Sequence, residues 1–125
     1  MHTDILRRVL AENPGLCANG WGTDPADFED SRTHMTSRHG VEEFGRALAF
    51  VEARCRPTRA ITTHATSYGY KHMAEHWHRR ELGDAADCYV SNGAFIAAAL
   101  ALGYRHRLLP GSPNCLFNFA RVCAA

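Results

Sequence analysis

Residues 91–103 read SNGAFIAAALALG, and every residue from Ala94 to Leu102 is apolar. A helix at a protein surface carries one apolar stripe, whereas a helix that is apolar all round must be enclosed by its neighbours. Ser91 provides a start, since its hydroxyl oxygen can accept a hydrogen bond from a backbone N–H of the first turn. The run is shorter than the ~18 residues needed to cross a membrane. It therefore reads as the central core helix of a folded domain, and the rest of the chain is its wrapping.

The wrapping can be read outward from this helix. Immediately upstream, SYGYKHMAEHWHRRELG over residues 67–83 places Tyr70, Met73, Ala74 and Trp77 on one stripe, with Lys71, Glu75, His78 and Arg79 facing away. This predicts a helix capped by Thr66 or Ser67 and ended by Gly83 and Asp84. Val41, Phe44, Leu48 and Phe50 or Val51 recur every three to four residues before Pro57 and predict another. Ile5, Leu6, Val9 and Leu10 predict a short helix between Thr3-Asp4 and Asn13-Pro14-Gly15. Downstream, the turn residues Pro110 to Asn114 separate alternating segments over 104–109 and 115–122, the pattern of a β-hairpin. RAITTHAT, residues 59–66, is β-branched enough for a short strand or an extended linker. From Pro14 to Gly40 turn formers dominate, including Asn19-Gly20, Gly22 and Asp24-Pro25, and a stretch of this length is usually functional or partly helical.

The expected fold is mainly α, a single compact domain over residues 1–125 with about four helices and a C-terminal β-hairpin. Phe44, Leu48, Val51, Met73, Trp77, Phe95, Ile96, Ala99, Leu100 and Leu102 are its expected core. A chain of 125 residues, 46% hydrophobic and 22% charged, has room for one such core. Fourteen Lys and Arg against thirteen Asp and Glu leave a net charge of +1, which excludes a histone-like basic protein and an acidic solvating tail. The amphipathic opening MHTDILRRVLAEN lacks the continuous apolar core of a signal peptide, so no membrane partner is expected. Cys17, Cys55, Cys88, Cys115 and Cys123 are odd in number and widely spaced, with no CxxC pair. That predicts free thiols in a reducing cytoplasmic setting rather than a disulfide framework. All but Lys71 of the fourteen Lys and Arg are arginine, a skew that GC-rich coding explains.

Eight histidines include three in residues 67–83. His72, Glu75 and His76 match the H-x-x-E-H arrangement of inverted zinc peptidases, in which two imidazoles one turn apart share zinc and a carboxylate activates water. Such a site needs a third ligand, and after Asp87 the chain contains no Asp or Glu. Surface histidines are the simpler reading, with no cofactor. His34, His39 and His64 lie in loop-like sequence without a nucleophile elbow, and no glycine-rich phosphate loop is present.

The order of parts carries a different signal. Two helices followed by a hairpin containing Arg105 and Arg107 give the arrangement of a winged helix-turn-helix. On that reading Lys71, Arg79, Arg80, Arg105 and Arg107 contact phosphates, and Ser91 and Asn92 contact bases or backbone. The objection is that 92–103 is too apolar for a recognition helix.

The strings TSYGYKHMAEHW, CYVSNGAFIAAALALGY and PGSPNCLFNF, within residues 66–119, resemble a group of small uncharacterised proteins of prophages, plasmids and integron gene cassettes. The resemblance implies a mobile-element accessory protein and carries no established catalytic residues. The expected function is a non-enzymatic accessory protein that binds DNA through a basic rim. The alternatives are an inhibitor or adaptor docking on a host protein complex through Trp21 and the acidic stretch from Asp24 to Asp30, and a small metal-dependent hydrolase built on His72, Glu75 and His76.

Overall fold

A computed structural model describes residues 1–22, 25–83 and 87–122. Asp24, Asp84 and Cys123 lie outside the described residues. The elements run α1 (His2–Glu12), β1 (Leu16–Cys17), β2 (Gly20–Trp21), α2 (Pro25–Met35), α3 (Arg38–Arg54), α4 (Ser67–Leu82), α5 (Asn92–Ala101), β3 (His106–Leu108) and β4 (Cys115–Phe117). The protein is thus mainly helical, with five helices rather than four among the described residues, and a C-terminal hairpin as expected.

The centre is α5. Ser91 caps it by accepting from the Ala94 N–H at 3.0 Å, and every residue from Asn92 to Ala99 is buried. Helices α1, α3 and α4 pack on it. Phe95 has no exposed surface and meets the rings of Phe50, Tyr70, Phe117 and Phe119. One residue of the expected core lies outside it, Leu102 at 39% exposed, and Leu100 is half-buried against it. The helix ends at Ala101, and the chain leaves the core through Gly103 at a φ of 89°, so its last turn emerges from the wrapping. Met73 and Trp77 are partly buried against the core.

The additional helix, α2, occupies the turn-rich stretch. Its sequence, PADFEDSRTHM, has no continuous apolar stripe for periodicity to detect. It is fastened instead through Arg32, whose guanidinium donates to the carbonyls of Leu10, Asn13, Pro14 and Leu16. Arg32 thereby satisfies carbonyls at the open C-terminal end of α1.

Helix α4 corrects the expected polarity of its faces. Lys71, Glu75 and His78 are buried, while Arg79 and Arg80 are exposed. One side of α4 meets α5 and β4, and the other is covered by α3 and the segment before α5, where His78 Nε2 lies 2.8 Å from the Arg46 carbonyl. The 59–66 segment is an extended linker rather than a strand, held where Thr62 donates from its N–H to the Phe117 carbonyl and from its hydroxyl to the carbonyls of Phe117 and Phe119. The parts of a winged helix-turn-helix occur in order, but α5 is enclosed and presents no polar face to a DNA groove. No helix among the described residues is long and apolar enough to cross a membrane.

Gly93 allows the small β1–β2 hairpin to lie directly on the first turn of α5. Its N–H donates to the Ala18 carbonyl at 2.8 Å, and a Cβ here would overlap the Cys17 carbonyl. Gly93→Ala is expected to lower stability by about 1–3 kcal/mol, the usual cost of overpacking. A urea melt checks this, and an unchanged midpoint would show that the hairpin yields without loss.

Candidate functional site

Holding β1–β2 against α5 leaves a pocket of about 790 Å³ between that hairpin, α2, the first turn of α4, the segment before α5 and the 113–114 turn. Tyr68, Lys71, Tyr89, Asn92, Asn114 and Asp27 are among its lining residues. Its size is that of a small-molecule site, and its wall comes from segments far apart in sequence.

At the mouth, Tyr68 is 50% exposed and Tyr89 53%, whereas Lys71 between them is 6% exposed. The Lys71 ammonium sits 4.5 Å from the centre of the Tyr89 ring and 5.5 Å from that of Tyr68, within cation–π range of both. Helical spacing brings Tyr68 and Lys71 together at i,i+3, while Tyr89 reaches the same point from an irregular segment.

The ammonium is anchored by Glu75, whose Oε2 lies 3.0 Å from Lys71 Nζ and accepts the Val90 N–H at 3.1 Å. Glu75 Oε1 lies 2.9 Å from His72 Nδ1. Burial pushes the Glu75 carboxyl up, but the Val90 N–H, the Lys71 ammonium and His72 together outweigh it and hold the group below the ordinary carboxylate value. A second buried carboxylate, Glu43, repeats the device: it accepts the Ser91 N–H at 3.0 Å and lies 3.3 Å from His34 Nε2. Consecutive amides ahead of α5 are therefore each held by a glutamate, which also places negative charge at the positive end of that helix.

Asn92 closes the floor. Its Nδ2 donates to the Asn19 carbonyl and to Asn114 Oδ1, both at 2.9 Å, while its own buried Oδ1 has no partner. The Asn19 carbonyl can only accept, and this fixes which end of the Asn92 carboxamide is nitrogen.

The expected phosphate contacts are dispersed. Lys71 lies buried in the pocket wall, not on a rim, because Glu75 and the tyrosine rings enclose it. Ser91 is likewise buried, its hydroxyl spent on the helix cap, and Asn92 is buried in the pocket floor. Arg79, Arg80, Arg105 and Arg107 are exposed, but in two groups. The hairpin bearing Arg105 and Arg107 meets the first turn of α4, where the Cys115 N–H reaches Ser67 Oγ, whereas Arg79 is twelve residues further along that helix. At 1.5 Å per residue the separation along the axis is roughly 18 Å. The Arg105 guanidinium donates to the Arg59 carbonyl.

In the H-x-x-E-H segment, both Glu75 oxygens are engaged, and His76 is exposed with its Nδ1 3.5 Å from Arg79 Nη1. Among the described residues, no three His, Cys, Asp or Glu side chains are grouped to hold a metal ion. Burial pushes the Cys55 thiol up to about 12 and the Cys115 thiol up to about 11, so neither offers a thiolate near neutral pH. Trp21 is stacked on His106 at 5.0 Å with 9° between the planes and is half-buried, which leaves it no projecting anchor.

Tyr68 and Tyr89 were not among the expected site residues. Tyr68 carried a faint signal, its i,i+3 spacing from the sole lysine, and Tyr89 carried none because its segment has no periodicity. In comparisons with protein-family models, curated proteins and solved structures, nothing matches the chain.

Proposed function

We propose that the protein is a binding protein whose ligand is a planar group that both stacks and hydrogen-bonds, taken into the pocket between Tyr68 and Tyr89. The observation that carries this reading is the pair of half-exposed tyrosines framing a buried lysine at the entrance to a pocket of about 790 Å³. Rings held at a pocket mouth offer flat apolar faces, and the carboxamides and ammonium behind them supply direction. Binding is favoured over catalysis because both oxygens of Glu75 are already engaged within the protein.

A ligand-observed NMR screen of planar fragments tests the reading. Hits are expected to lose at least ten-fold in affinity in the Tyr68→Ala/Tyr89→Ala double variant, whose cooperative melt is recorded alongside to show that it is folded. Hits unaffected by the double variant, or an absence of hits, would count against the pocket.

A second reading, DNA held through its phosphates, rests on the exposure of Arg79, Arg80, Arg105 and Arg107. A duplex bound in this way must reach both groups of arginines, and its affinity must fall steeply with salt as counterions are released. A duplex titration at two salt concentrations decides it. Docking on a host protein complex retains the exposed acids Asp27, Glu29 and Asp30 of α2 as its surface, without Trp21 as an anchor.

A further inference from the structure

The linker after α3 and the C-terminal hairpin together assemble a basic face that neither forms alone. Asn118, only 6% exposed, is its post: its Nδ2 donates to the Thr58 carbonyl at 3.0 Å, and its Oδ1 accepts the Arg105 N–H at 2.7 Å. Its backbone repeats both ties, accepting the Thr58 N–H at 2.8 Å and donating to the Arg105 carbonyl at 3.3 Å. The Arg105 guanidinium reaches across to the Arg59 carbonyl, and the Arg56 carbonyl accepts the Ala120 N–H beside Arg121. Five exposed arginines, Arg56, Arg59, Arg105, Arg107 and Arg121, are thereby gathered at one end of the molecule. Residues 53–74 and 88–122 contain no Asp or Glu, and none of the five pairs with a carboxylate among the described residues.

Strand alternation sets the direction of the hairpin arginines. Phe117 and Phe119 have no exposed surface, His106 pairs with Phe117, and Tyr104 meets the Phe119 ring at 4.6 Å. Arg105 and Arg107 alternate with Tyr104 and His106, so they take the opposite, outward side, roughly 7 Å apart along the strand. Successive phosphates of a nucleic-acid strand have a similar spacing, and a guanidinium fork matches the oxygens of a phosphate.

The rest of the face selects among polyanions. Leu116 and Asn118, across from Arg107 and Arg105, are each 6% exposed, so there is no apolar centre around which a protein partner would dock. Tyr104, Phe117 and Phe119 are turned to the core, so the face also lacks the stacking platform that holds unpaired bases. Rows of phosphates on the outside of a duplex ask for neither. We infer that this face seats the backbone of a nucleic-acid duplex without regard to its base sequence. The inference is independent of the pocket and rests on the duplex reading, to which it gives one face in place of two separated groups.

Fluorescence anisotropy of the full chain with a short labelled DNA duplex of mixed sequence, recorded over a range of salt, tests it. Each phosphate contact contributes about 0.9 to the slope of log affinity against log salt, so Arg59→Gln/Arg105→Gln/Arg107→Gln is expected to flatten that slope by about 2.7. Affinity at low salt should fall at least ten-fold in this variant and stay within two-fold of the parent in Arg79→Gln/Arg80→Gln. Should the triple variant fail to melt cooperatively, Arg107→Gln decides instead, with a flattening of about 0.9 expected and an unchanged slope counting against the inference.

An equal loss in Arg79→Gln/Arg80→Gln overturns the single face and leaves the duplex reading in its two-group form. A single strand with the same number of phosphates, or polyglutamate, that binds as tightly as the duplex overturns the inference, as does a ten-fold preference among duplex sequences. Absence of duplex binding at the lowest salt removes both this inference and the duplex reading, and leaves the pocket to its own fragment screen.

Discussion

Phe95→Ala is expected to destabilise the protein by about 3–5 kcal/mol, the usual cost of emptying a buried phenylalanine site. Phe95 has no exposed surface and is surrounded by rings from α3, α4 and the C-terminal hairpin, so its loss opens a cavity where four parts of the chain meet. Those rings belong to elements pinned elsewhere by their own hydrogen bonds, which limits how far they can collapse inward. For a chain of this length the melting temperature should fall on the order of 12–20 °C. A fall of only a few degrees would mean that α5 is not the common core of these elements. Leu102→Ala provides the contrast, because its side chain is 39% exposed and its removal should move the midpoint little.

Glu75→Ala is expected to cost a further figure of the same order, about 3–5 kcal/mol, because it leaves the buried Lys71 ammonium without its carboxylate and the Val90 N–H without an acceptor. The cost lies in the uncompensated charge more than in the lost attraction. Replacing both partners, as Lys71→Met/Glu75→Leu, should therefore lose less than Glu75→Ala alone. A double variant less stable than the single would show that the pair itself, and not the stranded charge, carries the effect.

The same carboxylate has a signature in pH. Its value in the folded protein is depressed, so its contribution is complete above the ordinary glutamate value of about 4.3 and is lost as pH falls through the lower folded value. Melts recorded between pH 7 and pH 2 should show the parent losing stability over that acid range more steeply than Glu75→Gln. Equal slopes would place the acid sensitivity on other groups.

The residues most visible in the sequence were those whose patterns are local. Ala94 to Leu102 declared an enclosed helix because no face of it is polar, Ser91 declared its start, and Pro110 to Asn114 declared the hairpin turn. Helix α2 escaped because it is held by one arginine reaching four carbonyls, an arrangement without periodicity.

By itself, then, the sequence determined that a wholly apolar helix must be wrapped, where it begins, and which stripes of its neighbours turn toward it; these follow from side-chain spacing along a single segment. Only the tertiary structure decided that the second face of α4 is covered as well. An i,i+4 lysine and glutamate read alike whether water or protein surrounds them, and Lys71 and Glu75 become a buried pair because Tyr89 and the Val90 amide arrive from another part of the chain. The pocket belongs wholly to this second level. It exists because Gly93, lacking a side chain, lets β1–β2 rest on α5, and because Asn92 ties Asn19 to Asn114 across 95 positions of sequence, a closeness that no local pattern of residues encodes.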